Sequence, residues 1–391
     1  MKNKILIILM LCFCLCGCGN YRELNDMAII TVVSIDKADD KYEMSFLIAN
    51  ARNSQTTSKE GQAQTTVYSG KGKTLTEAAE HIDFKSPKKL YLGHVNVVVI
   101  SEEIGREGFL KIADFLMRYP ETRKQFFLIQ AKDCKAKEIL NMVSPLESFP
   151  SQHIASLLKT GRDSESVIQI VDYASFVSKS LDEGVDPMLP AIKIIGDPEK
   201  GGDEKNLEST KQKAYLKLES VAIYRNDKFV DYLDFSNNLM VNIINNKVHE
   251  MKTIFKYKNN KIGLTSDNLK TEVKIKNYNT VNINISGEGS ITEINANIDL
   301  ENTNTLTEME KALNNNIKKR CKKVIEKMQK KYHTDVFGFG NKLYKSNPKT
   351  WKKIENKWND KYFPNLKINI KSNIKITKAG SLNRTIQKEE T

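Results

Sequence analysis

Residues 196–213 read GDPEKGGDEKNLESTKQK, and this stretch is the clearest break in the chain. Gly196-Asp197-Pro198 and Gly201-Gly202-Asp203 are turn signals, and the charged run after them contains a single apolar residue, Leu207. Composition also shifts here, because Asn and Lys become frequent beyond it. The stretch therefore reads as a linker between an N-terminal region, 18–195, and a C-terminal domain, 214–391.

Working leftward, an apolar strand over 191–195 is preceded by Val167, Ile170, Val171, Ala174, Val177 and Leu181, whose spacing predicts an amphipathic helix. Short helices are expected over 136–143 and 151–160, and strands over 95–100 and 125–130. A helix runs through Phe109, Ile112, Ala113 and Leu116. Another opens on the capping box Thr74-x-x-Glu77 and presents Leu75, Ala78, Ala79 and Ile82 on one face. Residues 51–66 are polar, rich in Gln, Ser and Thr, and read as a mobile loop. Before them, 28–36 and the alternating Tyr42, Met44, Phe46 and Ile48 form a hairpin.

Rightward, 216–224 and 229–233 flank the turn Arg225-Asn226-Asp227-Lys228 as a second hairpin. A short helix over 237–245 and three or four strands between 251 and 300 follow. The longest helix is expected over 305–331, with Leu306, Met309, Leu313, Ile317, Cys321, Val324 and Met328 at spacings of three and four. A Trp-containing helix over 351–358 leads to a last strand over 366–376. Strands and helices interleave on both sides of the break. The fold class is thus α+β, with two to three domains and mixed β-sheets flanked by helices; the N-terminal region reads as one unit or as two subdomains, and no internal repeat is visible.

At the far N-terminus, Lys2 and Lys4 precede an unbroken apolar run, 5–16, that ends in Leu15-Cys16-Gly17-Cys18. Positive start, short apolar core and small-residue exit mark 1–17 as a secretory signal peptide. The run is short of the roughly 20 residues a membrane span needs. Leu-x-Gly-Cys is also a lipobox: Gly17 leaves room for a peptidase, and the Cys18 thiol is the nucleophile that takes a diacylglyceryl group. Cys18 is the candidate lipidation site, and two acyl chains hold a protein at a bilayer where one is marginal. The remainder is expected to be extracytoplasmic.

The chain has 391 residues, 61 basic and 48 acidic, for a net charge of +13; losing Lys2 and Lys4 leaves +11. Such an excess suits nucleic acid or anionic lipid, and export selects lipid. The basic run Lys318, Lys319, Arg320, Lys322, Lys323, Lys327, Lys330 and Lys331 reads first as a solvated helix face, and second as a contact for an acidic partner or anionic lipid. Of six cysteines, Cys134 and Cys321 remain after processing and modification; their separation predicts free thiols. No Gly-x-Ser-x-Gly elbow or His-Glu-x-x-His helix occurs. Gly70-Lys71-Gly72-Lys73-Thr74 lacks the first Walker glycine, since Val67 stands there. Gly338-Phe339-Gly340 reads as a turn or close helix contact. His94, ahead of a buried strand, is expected as a hydrogen-bonded core residue. No catalytic residue, metal set or cofactor site is identified.

Further residues resemble a family. Gly17-Cys18 followed by Arg22-Glu23-Leu24-Asn25-Asp26 and Ser34-Ile35-Asp36-Lys37 resembles the start of the Ger(x)C spore germination lipoproteins, the C subunits of germinant receptors. The likeness continues through Leu90-Tyr91-Leu92-Gly93-His94, Arg118 with Glu121-Thr122-Arg123, and Asp186-Pro187-Met188-Leu189-Pro190. It returns at Asp335-Val336-Phe337-Gly338-Phe339-Gly340, Pro348-Lys349-Thr350-Trp351 and Trp358. Two departures are visible: Gly19-Asn20-Tyr21 stands where an aromatic residue usually follows the cysteine, and Asp231 stands where the second hairpin usually has Gly. The resemblance implies three α+β domains and a non-catalytic subunit of a nutrient receptor in the spore inner membrane. It would sit on the outer face with A and B subunits as partners. No ligand-binding residue is carried over, and Cys18 is the one site residue the family pattern supplies.

Overall fold

In the computed structural model the described residues are 26–49, 64–119, 122–147, 149–163, 168–208, 210–294, 298, 300 and 302–378. Their elements begin with β1 (Met27–Ala38), β2 (Lys41–Ala49), β3 (Thr65–Gly72), α1 (Leu75–Asp83), β4 (Lys89–Tyr91), β5 (Val97–Ile100), α2 (Glu102–Glu107) and α3 (Leu110–Arg118). They continue with β6 (Phe127–Ala131), α4 (Ala136–Leu140), α5 (Pro150–Asp163), α6 (Tyr173–Ser180), β7 (Met188–Gly196), β8 (Ala214–Arg225) and β9 (Lys228–Leu233). The rest are α7 (Phe235–Ile244), β10 (Met251–Tyr257), β11 (Asn260–Lys276), β12 (Thr280–Ile294), α8 (Thr303–Lys327), α9 (Phe339–Ser346), α10 (Pro348–Ile354) and β13 (Lys367–Lys378).

The first nine strands form one mixed sheet in the order β3-β2-β1-β5-β6-β7-β8-β9, with β4 beside the start of β1. Its centre, β1-β5-β6-β7, is parallel, and both flanks are antiparallel. Helices cover both faces, which is why the central strands are continuously apolar rather than alternating. Along β5, Val98 and Ile100 pack with α1, α2, α3 and α6, while Val97 and Val99 pack with α4 and α5. Gly70 and Gly72 let β3 lie directly on α1, since a Cβ at Gly70 would stand 2.1 Å from the Ala78 carbonyl oxygen. Those glycines serve strand–helix packing, and Thr74 caps α1 by accepting from the Glu77 amide.

The second sheet, β10-β11-β12-β13, is covered by helices on one face. β12 alternates accordingly: Val281, Ile283 and Ile285 are buried with Met309, Leu313 and Ile317 of α8, while Asn282 and Asn284 turn outward. Asn282 accepts from Asn369 across the open face.

Four expectations are revised. The stretch 196–213 joins antiparallel neighbours of the first sheet, because β7 and β8 pair from Met188↔Ile223 to Gly196↔Ala214. It is folded in place by Asn206, whose side chain accepts from the Lys213 amide and donates to the Ala214 carbonyl, and by Gly201 against Met142. The helix expected from Val167 begins only at Tyr173, because Val171 accepts from Leu128 alongside β6 and Asp172 caps the helix through the Ser175 amide. The long helix widens after Lys327 into a π turn, Met328–Tyr332, and His333 at φ 50° ends it. That turn points Gln329 inward, where it donates to the Phe363 and Leu366 carbonyls. His94 is exposed and lies edge-on to Tyr91 at 5.7 Å. The polar loop expected over 51–66 falls largely outside the described residues, and Thr65 and Thr66 already belong to β3.

Candidate functional site: a buried junction between the two halves

Two aspartates from motifs 149 positions apart meet inside the protein. Asp186 lies just ahead of β7 and Asp335 just after the π turn. They are 3% and 0% exposed. The backbone amides of each pair bind the other segment: the Asp186 amide donates to the Asp335 carbonyl (2.9 Å), and the Asp335 amide donates to Asp186 Oδ2 (2.8 Å). Asp186 also accepts from the Asn226 amide (2.7 Å) in the β8–β9 turn and from Asn359 Nδ2 (2.9 Å). Asp335 accepts from the amides of Phe337 (3.1 Å) and Gly340 (2.9 Å) and from the indole of Trp358 (2.9 Å).

All six donors to the two carboxylates are neutral. Burial disfavours the ionised form, so Asp186 is pushed up to about 6 and Asp335 to about 7. The donors oppose that push, and the Arg225 guanidinium nearby lowers Asp186 further. Arg225 itself pairs with Asp360.

The surrounding residues are small or aromatic for a steric reason. Gly340 faces Gly184 so closely that a Cβ on it would stand 2.5 Å from the Gly184 Cα and 2.6 Å from Trp351. Gly338 sits at φ +64° and starts α9. Trp351 and Trp358 meet edge to face at 5.2 Å, and Phe337 stacks on Phe339 at 5.1 Å. Asn341 adds two bonds back to the first half, to Asp182 Oδ2 and the Gly184 carbonyl. A second tie is Asp231 of β9, which accepts from Lys331 and Tyr332 at 2.8 Å each. The departure from the usual glycine at this position thus has a contact of its own.

Asp36 does comparable work inside the first half. It is 1% exposed, is pushed up to about 6 by burial, and accepts from the Ala136 and Lys137 amides at the start of α4. Lys137 pairs in turn with Glu43. A carboxylate capping a helix from another strand locks β1 to α4.

Chemically the junction is a clamp. Its carboxylate oxygens are occupied by fixed donors inside the protein, with a cavity of about 30 Å³ beside Asp186, room for little more than water. Among the described residues no group of three or more His, Cys, Asp or Glu is placed to hold a metal. Cys134 and Cys321 are both free thiols, and burial pushes them up to about 11 and about 12, away from reactivity. Cys18 lies outside the described residues. Arg118 is exposed and pairs with Asp114, far from the clamp in role. The motifs at 186–190, 335–340, 348–351 and Trp358 are the ones brought together. Sequence reasoning missed Asn226 and Asn359; Asn226 carried a signal, since its turn position takes φ +54°, a conformation Asn tolerates.

The chain is thus a two-sheet α+β protein whose motif residues build an internal clamp. Comparison with known proteins gives the class a family. The profile described as spore germination protein N-terminal domain matches residues 20–194, and that described as spore germination B3/GerAC like, C-terminal, matches 219–380. The chain belongs to the Ger(x)C family of spore germination proteins. It is 27% identical to spore germination protein KC of Bacillus subtilis (strain 168) over 94% of this chain and 93% of that one. It is 23% identical to spore germination protein GerQC of Bacillus cereus, covering 91% and 93%. The crystal structure of the GerBC protein superposes with a TM-score of 0.55 at 16% identity, over 88% of this chain and 96% of that one. The shared fold is the content of that last likeness.

Proposed function

We propose that this chain is a lipoprotein subunit of a spore nutrient germinant receptor. Cys18 carries the diacylglyceryl anchor, and the folded body stands on the outer face of the spore inner membrane. It works with the A and B subunits through contact, with no bond-breaking step and no cofactor. The observation that carries this reading is the succession of two family profiles along 20–194 and 219–380, with relatives named as spore germination proteins. The clamp supports it: the motif residues are spent on holding two halves in one fixed relation, as a coupling subunit needs. Among the described residues no helix is long and apolar enough to cross a membrane.

The competing reading is an extracytoplasmic solute-binding lipoprotein. That architecture places ligand between two similar lobes, whereas the halves here differ in strand number and helix cover. Replacing Cys18 with Ala is expected to abolish fatty-acid labelling and to impair germination on nutrients. Labelling equal to the unaltered protein would refute the anchor. A thermal shift of the purified chain with an amino acid or sugar would instead favour the solute-binding reading.

A further inference from the structure

Charge is divided unevenly along the chain. Residues 19–302 hold 37 basic and 40 acidic side chains, whereas 303–391 hold 22 basic and 8 acidic. The excess is concentrated on α8 and the helices after it: 303–361 alone has 16 basic and 6 acidic residues. On α8, Lys311, Lys318, Lys319, Lys322 and Lys323 are all exposed. At 3.6 residues per turn they fall within an arc of about 140°. Between 311 and 330 the one acid is Glu326, paired with Lys322 at 3.8 Å. The opposite arc, with Met309, Leu313, Ile317 and Val324, is buried on the second sheet.

Topology ties this half to one end of the first sheet. β1, β5, β6 and β7 are parallel, so their starting ends lie on one side. At that end Met188, the first residue of β7, packs on the second core, and Asp186 is clamped to Asp335. Three strand spacings, about 15 Å, separate β7 from β1. β1 begins at Met27, nine residues from Cys18, a span of at most about 30 Å. An anchor at Cys18 therefore holds at the bilayer the same end of the sheet that carries the basic half.

We propose that the lysine face of α8 is a docking surface for anionic phospholipid headgroups, so that the second half lies against the membrane to which the first is tethered. The orientation rests on the anchor reading above; lipid binding by the face does not. Lysines within a Debye length of a negatively charged bilayer each gain roughly fivefold in partitioning. Five on one arc, flanked by Glu308 a turn before them and Glu326 a turn after, are a stripe that a planar charged surface can engage at once.

The test uses residues 19–391, which contain every described element and no acyl chain, sedimented with vesicles of phosphatidylcholine alone or with 30% phosphatidylglycerol. Binding is expected only to the anionic vesicles, and it should weaken as salt rises. Changing Lys318, Lys319, Lys322 and Lys323 together to Gln should reduce partitioning about 600-fold, and changing the same four to Arg should restore it. All four are exposed, and both sets leave the buried arc intact. Equal binding by the Gln variant, or no binding to anionic vesicles, would overturn the proposal. So would loss of receptor co-purification in the Gln variant without any vesicle effect, which would assign the face to an acidic protein. Because acylation of Cys18 plays no part in this assay, the anchor and the lysine face can fail separately.

Discussion

The two halves solve the same packing problem differently. The first buries its sheet on both faces, so strands such as Val97–Ile100 are apolar throughout. The second buries one face, alternates apolar with Asn and Lys along β12 and β13, and carries nearly all the net charge. A doubly covered sheet has little surface left to present, whereas a singly covered one presents a broad polar face and a helical back. Structural constancy therefore falls to the first half and surface chemistry to the second, with the aspartate clamp fixing one to the other.

The sharpest way to break that arrangement is to empty the clamp. Asp335→Ala strands the donors of Phe337, Gly340 and Trp358 inside the protein and is expected to lower unfolding free energy by about 3–5 kcal/mol. Denaturant unfolding followed by Trp fluorescence would register it, because Trp351 and Trp358, the two Trp residues of the chain, both sit at the clamp. An unchanged midpoint would mean the halves do not depend on it.

Steric variants compare the halves directly. Gly340→Ala, with Gly184 and Trp351 in the way, should cost about 2–3 kcal/mol at the junction. Gly70→Ala, blocked by the Ala78 carbonyl, should cost a similar amount within the first half. Limited proteolysis should map the two losses to different regions; identical cleavage patterns would argue that the halves unfold as one unit.

Acidity separates them further. Asp186 and Asp335 titrate near 6 and 7 instead of the usual 3.8, so between about pH 4 and 7 the folded chain keeps protons that the unfolded chain has released. Their contribution to stability is full below about pH 4 and is lost as pH rises through 6 and 7. The melting temperature should fall on the order of 5 °C across that window. Asp36, raised to about 6, adds a drop of the same sign in the first half. Asn at 186 and 335 should flatten the junction's share of the slope and Asn at 36 the remainder; an unaltered slope in both would contradict the assignment. The smallest effect is expected from Asp231→Gly, which gives up the bonds to Lys331 and Tyr332 at the partly exposed rim and should cost about 0.5–1 kcal/mol.

Much of this was legible in the sequence, for identifiable reasons. The hairpin β1–β2, the capped α1, the alternation of β12 and the apolar stripe of α8 are local patterns that tertiary contacts reinforce. The helix expected from Val167 misled because Val167, Ile170 and Val171 have helical spacing, yet Val171 lies buried alongside β6, accepting from the Leu128 amide. His94 misled because its neighbours Leu92 and Val95 take the buried positions. The clamp could be approached only through the family resemblance, which singled out Asp186, Asp335, Gly340 and Trp358 without indicating that they touch. Residues 149 apart leave no periodic trace of their contact, and Asn226 and Asn359 look like ordinary surface amides until the fold closes over them.

The folded excursion between β7 and β8 has a practical consequence. A nick after Lys205 would sever the chain without releasing either piece: the ladder from Met188 to Gly196 would keep zippering one fragment to the other, and Asp186 would still grip Asp335. Cut protein should therefore migrate as two bands under denaturing conditions and as one particle under native ones, a natural place to split the gene for complementation.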